Sequence, residues 1–275
     1  MKMREFKHIQ KLLSQVRRAV DGYDMISAGD TVAVGVSGGK DSLTLLCALK
    51  ALSRFYSQPF TVKAICLDTG VPGLDLGPVK LLCDELETEL IIKKTDIYQI
   101  VFDLRRESNP CSLCANLRRG ALYDTAAAEG IKKVALGHHY DDAIETFFMN
   151  LFNEGRIGCF SPVTYLDRTG VTLIRPLIYT PESDVRRFVA AEGIEVVPKT
   201  CPADGFTDRE KMKTFIRERE REHHGFKSAF SAPWSAAEYR VSRSSRTRAK
   251  GRAEGYNSDS RSFLSIFFSR RETVT

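Results

Sequence analysis

TVAVGVSGGKDSLTLLCAL, residues 31–49, is the stretch of sequence that decides the fold of this chain. Its first six residues form an apolar run that predicts a buried parallel strand, and residues 43–49 predict a helix. Residues 37–42, SGGKDS, lie at the turn between them. Two glycines and two serines at such a turn gather backbone N–H groups and hydroxyls, and the helix N-terminus adds its positive dipole end. The stretch therefore predicts a binding site for an anion such as phosphate.

The spacing of this turn differs from that of the common phosphate loop. That motif needs a glycine five residues before a Gly-Lys-Ser/Thr triplet. Here Gly35 is followed five positions later by Lys40, and Asp41 stands where the serine or threonine should be. The sequence excludes the common loop and indicates another class of phosphate-binding turn.

Apolar runs alternate with helical patterns along most of the chain. This alternation predicts an α/β fold with a doubly wound parallel sheet. Strands are predicted at 31–36, 60–67, 90–92 and 133–136, a hairpin at 163–166 and 171–174, and helices at 5–27, 41–55, 77–88, 112–129, 140–153, 181–192 and 208–222.

Ligands of such sheets bind at the carboxyl ends of the strands, where the strand order reverses. The first, second and fourth predicted strands end at Val36-Ser37, Leu67-Asp68 and Leu136-Gly137. We expect these three ends to converge on one nucleotide.

Composition limits the class of protein. The chain has 275 residues, of which 43% are hydrophobic, so a sizeable core is expected. No segment approaches the ~20 uninterrupted apolar residues that span a bilayer, and no signal-peptide core follows the first residues. We therefore expect a cytoplasmic protein, with no membrane partner, whose seven cysteines are thiols or ligands and not disulfides.

The net charge of +6 belongs to the C-terminal end. Residues 227–275 carry ten Lys and Arg against four Asp and Glu, together with eleven serines. This composition predicts a basic tail that is mostly disordered, after one folded domain over residues 1–226. An RNA-binding face on that domain would have to be a local patch.

Three of the cysteines have a pattern that suggests ligands. Cys111 and Cys114 form a C-x2-C at the start of a predicted helix, and Cys201 lies in a loop before a later helix. Spacing alone leaves structural zinc, an iron–sulfur cluster and a redox pair open. Apolar neighbours indicate that Cys47, Cys66 and Cys83 fill the core; Cys159 stays ambiguous.

Residues 137–146, GHHYDDAIET, open a helix after the fourth strand. Asp141 and Asp142 could hold Mg²⁺ against a triphosphate. They could equally cap the helix N-terminus, and one role does not exclude the other. The two histidines invite a metal site, but adjacent residues point apart, so direct metal ligation by His138 or by His139 is disfavoured.

The set of motifs resembles one family. The 37–42 loop, Cys111-x2-Cys114, the 137–146 segment, Arg175-Pro176-Leu177 and Cys201 are similar, in this order, to the motifs of tRNA 2-thiocytidine synthetases. The resemblance covers roughly residues 15–235. It implies the PP-loop fold, of the adenine nucleotide alpha hydrolase-like type, in which ATP is cut between its α- and β-phosphates.

The resemblance also implies a reaction. ATP would activate the C2 carbonyl oxygen of an anticodon-loop cytidine of tRNA as an adenylate, and sulfur would then replace the oxygen as AMP leaves. A [4Fe–4S] cluster on Cys111, Cys114 and Cys201 would keep one iron open for sulfide. The sulfur would come from a donor such as a cysteine desulfurase or from free sulfide.

Roles for single residues follow from the same resemblance. Ser37, Gly38, Gly39 and Ser42 would bind the departing pyrophosphate. Gly35, Val36, Cys66, Leu67, Asp68 and Gly137 would line the adenosine. The catalytic residues would be Lys40, Asp41, Asp141 and Asp142, with Asp142 near the phosphates or Mg²⁺.

Two other functions stay open. One is sulfur transfer to another RNA base or to a small molecule. The other is ATP binding without catalysis, with structural zinc on the three cysteines. A homodimer also stays open.

Overall fold

Six strands form one sheet in the order β3-β2-β1-β4-β6-β5. The structure is a computed structural model that describes residues 4–105, 110–198 and 208–230, all within one compact unit. Every neighbouring pair of strands is parallel except β5 with β6, which form the predicted hairpin. The strands are β1 (Thr31–Val36), β2 (Thr61–Asp68), β3 (Glu89–Lys94), β4 (Lys133–Ala135), β5 (Val163–Leu166) and β6 (Val171–Ile174).

Seven α-helices surround this sheet in the described ranges. They are α1 (Gln10–Gly22), α2 (Lys40–Leu52), α3 (Gly77–Glu85), α4 (Pro110–Ala128), α5 (Tyr140–Glu154), α6 (Glu182–Ala191) and α7 (Asp208–Glu222). No helix in these ranges is long and apolar enough to cross a membrane. The predicted doubly wound sheet is confirmed.

The sheet reverses its strand order at β1. The chain moves outward from β1 to β2 and β3, then returns to place β4 on the other side of β1. β1 lies between β2 and β4 in the sheet and is buried. Its residues Val32, Ala33 and Val34 have no exposed surface. Its register aligns Val36 with Cys66 of β2, so the carboxyl ends of these strands lie side by side.

The predicted N-terminal helix 5–27 is too long at both ends. Before α1, Arg4 donates to the Glu85 carboxylate at 2.6 Å, and the His8 backbone N–H donates to Glu192 Oε1 at 2.6 Å. These bonds hold the segment against other elements and outside the helix. At the other end, Asp24 has φ +48°, which a helix cannot continue through.

Two other helices end earlier than predicted, and one element was missed. α3 stops at Glu85 because Glu87 has φ +49°, and α2 stops at Leu52. A π-helical turn, Gln99–Arg105, carries no apolar period that would reveal it.

The folded chain continues past the expected boundary at residue 226. Phe230 is buried and its ring lies 5.2 Å from that of Phe148 on α5. Lys227 reaches the Asp141 carboxylate at 2.7 Å. The rest of the predicted tail, residues 231–275, lies outside the described residues.

Candidate active site

The 37–42 loop connects β1 to α2 and is organised by its two serines. Ser42 Oγ donates to the Gly39 carbonyl at 3.0 Å and accepts from the Ser37 N–H at 3.1 Å. Within the described part of the chain, the N–H groups of Gly38, Lys40 and Asp41 meet no acceptor. The predicted nest of donors is therefore present, at the N-terminus of α2.

The two glycines of the loop differ. Gly38 has φ +78°, and a Cβ there would lie 2.5 Å from Val197 Cγ2. The Val197 N–H also donates to the Gly38 carbonyl at 3.0 Å. Among the described residues, a Cβ on Gly39 would meet Ser37 Oγ alone, at 3.5 Å. Val197 thus covers the Cα and the carbonyl of Gly38 but not its N–H, whereas the space above Gly39 stays open for a ligand among the described residues.

Gly137 brings the end of β4 onto the same loop. A Cβ at this position would lie 3.0 Å from the Asp41 carbonyl carbon and 3.0 Å from the Ser42 nitrogen. Only glycine permits this approach without displacing α2. With the alignment of Val36 and Cys66, this confirms that the three strand ends converge.

The residues predicted to line adenosine lie at this edge. Val36 and Cys66 are buried, and burial raises the pKa of the Cys66 thiol to about 11. Leu67 packs in the smaller apolar cluster between sheet and α4. Asp68 Oδ1 accepts from the Gly70 N–H at 3.1 Å. A ligand at this edge would therefore contact mainly the backbone atoms of these residues.

Gly35 has a packing role beside any ligand role. A Cβ on it would lie 2.8 Å from Leu122 Cδ2 on α4. This contact draws α4 close over the centre of the sheet.

Asp141 turns away from the 37–42 loop. Its Oδ2 accepts from the Glu182 N–H at 2.7 Å, and its Oδ1 receives Lys227 Nζ at 2.7 Å. Because α6 has no capping side chain of its own, Asp141 caps that helix from α5. Both of its oxygens are therefore committed to the fold.

Asp142 forms a capping box with His139. Its Oδ2 accepts from the His139 N–H at 2.9 Å, and its own N–H donates to His139 Nδ1 at 3.2 Å. His139 Nε2 lies 3.6 Å from Asp41 Oδ1, which links this segment to the 37–42 loop. The capping interpretation is confirmed for Asp142.

Lys40 has a partner that no motif revealed. Its Nζ lies 2.9 Å from Asp41 Oδ2 and 3.0 Å from Glu182 Oε1. Burial lowers the pKa of Lys40, but the two carboxylates raise it more, and the net shift is upward. Glu182 is far away in sequence, so only the fold brings it here.

Arg209 on α7 is a second residue that sequence reasoning missed. Its guanidinium lies 3.3 Å from Asp142 Oδ1, 3.3 Å from Thr146 Oγ1 and 3.8 Å from Glu145 Oε2. Glu145 is 3% exposed, and burial followed by the charge of Asp142 raises its pKa to about 7. α7 is thereby tied to the acidic segment.

His138 lies on the other side of this segment, with its ring 5.0 Å from that of Phe160. Burial and then the nearby Arg175 lower the pKa of His138 to about 4. The Cys159 thiol contacts the Phe160 carbonyl at 3.2 Å, and burial raises its pKa to about 12.

The C-x2-C pair occupies the first turn of α4, where Cys111 is exposed and Cys114 is half-buried. α4 follows β3, so its N-terminus lies at the carboxyl edge of the sheet, as the 37–42 loop does. Cys201 lies outside the described residues, three positions after Pro198. In the described ranges no three His, Cys, Asp or Glu side chains are grouped to hold a metal.

The remaining cysteines are core residues, as predicted. Cys47, Cys66 and Cys83 are each at most 1% exposed. Burial raises the pKa of all three thiols, that of Cys83 to about 12.

This fold and loop define a class of protein. Residues 5–219 match the PP-loop domain family, an ATP-binding domain, over most of the chain. The match includes the 37–42 loop, which is called the PP-loop below.

Relatives narrow the class. The chain is 40% identical over 223 residues to a tRNA-cytidine(32) 2-sulfurtransferase of Pelobacter propionicus, covering 80% of this chain and 83% of that protein. It is 38% identical over 224 residues to the protein of the same name from Geobacter metallireducens, covering 80% and 87%. The chain therefore belongs to the tRNA-cytidine(32) 2-sulfurtransferase family of PP-loop enzymes, and it is a tRNA sulfurtransferase.

A solved structure agrees with the fold. The U34-tRNA thiolase NcsA from Methanococcus maripaludis, with its [4Fe-4S] cluster, superposes with a TM-score of 0.69 at 25% identity. The match covers 81% of this chain and 76% of that one.

Proposed function

We propose that this protein replaces the C2 oxygen of cytidine 32 in tRNA by sulfur, at the expense of ATP, in the cytoplasm. The observation that supports it most is the placement of Cys111 and Cys114. They begin α4 at the sheet edge that carries the PP-loop, and Leu122, about two turns beyond Cys114, packs on Gly35 of β1. A site that supplies sulfur and a site that binds ATP would then lie close enough to act on the same cytidine base.

The chemistry needs two steps because a carbonyl oxygen on a pyrimidine is a poor leaving group. The C2 oxygen attacks the α-phosphorus of ATP, the bond from that phosphorus to the bridging oxygen breaks, and pyrophosphate leaves with the electron pair. Sulfide then adds to C2, the C2–O bond breaks, and the oxygen leaves as part of AMP. Sulfur stays at the oxidation level of sulfide, so no electron donor is needed.

The PP-loop would bind the departing pyrophosphate. The N–H groups of Gly38, Lys40 and Asp41 supply donors, and Lys40 Nζ supplies a positive charge where negative charge develops. Adenosine would lie along the strand ends, from Gly35-Val36 through Cys66-Leu67-Asp68 to Gly137.

Of the two adjacent acids, Asp142 is the one that we propose to face Mg²⁺. Both oxygens of Asp141 are occupied at 2.7 Å, whereas Asp142 Oδ1 has only a 3.3 Å contact with Arg209. Mg²⁺ is commonly held by one or two carboxylates together with substrate phosphates, which fits a site without a larger acidic cluster.

Cys111, Cys114 and Cys201 are the residues that we propose to hold a [4Fe–4S] cluster. The donor set fits: two thiols sit one helical turn apart, and Val197, four residues before Cys201, is bonded to the PP-loop at Gly38. Such a cluster, with three protein ligands, would supply an open iron that accepts sulfide. Free sulfide would provide the sulfur directly. A cysteine desulfurase would provide it as a persulfide, whose outer sulfur must first be released as sulfide by a two-electron thiol reductant.

Anaerobic purification followed by single turnover tests this proposal. We expect a brown protein with four irons and four acid-labile sulfides per chain, which forms AMP and 2-thiocytidine from ATP, sulfide and unmodified tRNA. Changing Cys111, Cys114 or Cys201 to Ala should abolish thiolation and leave ATP binding intact, whereas Cys83→Ala is the matched control. A colourless protein with one zinc per chain, or thiolation of another acceptor alone, would contradict it.

A further inference from the structure

Lys40 is held in place before any ligand arrives. Its ammonium lies between Asp41 Oδ2 at 2.9 Å and Glu182 Oε1 at 3.0 Å, and its side chain is 27% exposed. A lysine side chain loses about 2 kcal/mol of rotamer entropy when it is fixed. The two carboxylates therefore hold the Lys40 ammonium in one position beside the PP-loop, where the side chain would otherwise adopt many rotamers.

The two partners of Lys40 are not equivalent. Asp41 is its neighbour in sequence and belongs to the same first turn of α2, so it moves with the loop. Glu182 comes from the first turn of α6, a separate element. Only Glu182 relates the ammonium to the rest of the domain.

Glu182 is itself rigidly held. Its N–H donates to Asp141 Oδ2 at 2.7 Å, and its Oε1 receives Arg186 from the next turn at 2.9 Å. Burial raises the pKa of Glu182, but the bonds from Lys40 and Arg186 lower it more, to about 2. The carboxylate is thus a fixed negative charge at any working pH.

This arrangement explains the orientation of Asp141. Its side chain faces α6 and not the PP-loop, and it caps the helix at the residue that reaches Lys40. A continuous set of contacts then runs from Lys227 through Asp141 and Glu182 to Lys40.

We propose that Glu182 is a positioning residue for the PP-loop lysine. It holds Lys40 Nζ at the nest of N–H groups so that charge stabilisation is ready when pyrophosphate departs; this role rests on the proposed function of the PP-loop. Preorganised charge acts mainly in the transition state. Since Glu182 also competes for Lys40 in the ground state, its removal should slow the chemical step without weakening ATP binding.

Glu182→Gln tests this, because it keeps the shape of the side chain and removes the charge. We expect tRNA-dependent AMP formation in single turnover to fall about tenfold to a hundredfold, with an unchanged or lower Kd for a non-hydrolysable ATP analogue. Glu182→Asp, which keeps the charge, should recover part of the rate. Asp184→Asn is the matched control, because Asp184 lies in the same turn of α6 but pairs with Lys11 and Gln15 of α1.

A double-mutant cycle separates positioning from a merely structural role. In a Lys40→Ala background, Glu182→Gln should cause no further loss of rate. A loss of the same size in both backgrounds, or an equal loss in Asp184→Asn, would overturn the proposal.

Chemical labelling of Lys40 tests the proposal without a measurement of catalysis. Without Glu182 the Lys40 amine loses a partner that raises its pKa, so acetic anhydride should label it several times faster at mildly alkaline pH. Lys63, which pairs with Glu89, serves as the internal reference. An unchanged labelling rate of Lys40 in Glu182→Gln would refute the proposal even if the wild-type protein formed no AMP with tRNA. That absence of AMP would refute the proposed function instead.

Discussion

The loops after β1 and after β4 lie against each other, yet their residues are used in opposite ways. In the 37–42 loop, the N–H groups of Gly38, Lys40 and Asp41 meet no acceptor among the described residues. In the loop after β4, His139 is 3% exposed, Asp142 caps its own helix, and Asp141 caps α6. The polar groups of the first loop stay available to a ligand, whereas most polar groups of the second are hydrogen-bonded within the protein.

The difference shows that the 37–42 loop and the 137–142 segment have different roles. Both segments follow a parallel strand and open a helix, so their positions in the fold are equivalent. The PP-loop has N–H groups that meet no acceptor among the described residues, whereas the 137–142 segment fixes the elements around it. Substitutions in the first should affect binding, and substitutions in the second should affect stability or the chemical step.

The largest effect is expected for Gly39→Val. Gly39 has φ −77°, and a Cβ there would meet Ser37 Oγ at an ordinary contact distance of 3.5 Å, so the backbone accepts a side chain. Valine is a poorer N-cap residue than glycine, which costs about 1 kcal/mol of stability. Its branched side chain would occupy the space of a phosphate, and ATP binding should be lost in a calorimetric titration. Gly38→Ala is the contrasting variant: with φ +78° and Val197 in contact, it should lower the melting temperature as well. Normal ATP affinity in Gly39→Val would refute the phosphate assignment.

A smaller effect, mainly on the rate of the chemical step, is expected for Asp142→Asn. The amide keeps most of the shape but loses the charge proposed to face Mg²⁺, so turnover should fall about a hundredfold while ATP binding changes little. Asp141→Asn should instead lower the free energy of unfolding by about 1–3 kcal/mol, because Lys227 loses its partner. Equal rates for Asp142→Asn and wild type would remove Asp142 from the catalytic residues.

The smallest effect on activity is expected at Glu145, whose contribution to stability depends on pH. Its folded pKa of about 7 lies above the ordinary 4.5, so the folded carboxyl keeps a proton that the unfolded one has released. Its contribution to stability is therefore lost as pH rises from 4.5 through 7. Glu145→Gln has no such proton, and its stability relative to wild type should rise by about 3 kcal/mol over this window. Urea denaturation at several pH values measures it; a constant difference would contradict the raised pKa.

Sequence alone predicted the elements whose pattern is local. The hairpin at 163–166 and 171–174 has the predicted bounds, and the strand ends converge as expected. Both depend on alternation or on glycine at a close approach, which the sequence displays directly.

Contacts between distant elements could not be predicted in this way. Glu182 and Arg209 lie on helices whose local pattern shows only a solvated acid and a solvated base. Their partners, Lys40 and Asp142, are set by how α6 and α7 pack. The ends of α1 were missed for the same reason, since His8 bonds to Glu192 instead of extending the helix.

Nucleoside analysis of total tRNA tests the central claim most directly. A strain that lacks this gene should contain no 2-thiocytidine, and the wild-type gene should restore it, whereas Gly39→Val and Cys111→Ala should not. Cys83→Ala, a buried core substitution, should restore it. Unchanged 2-thiocytidine in the deletion strain, with another thionucleoside missing or none, would contradict the account.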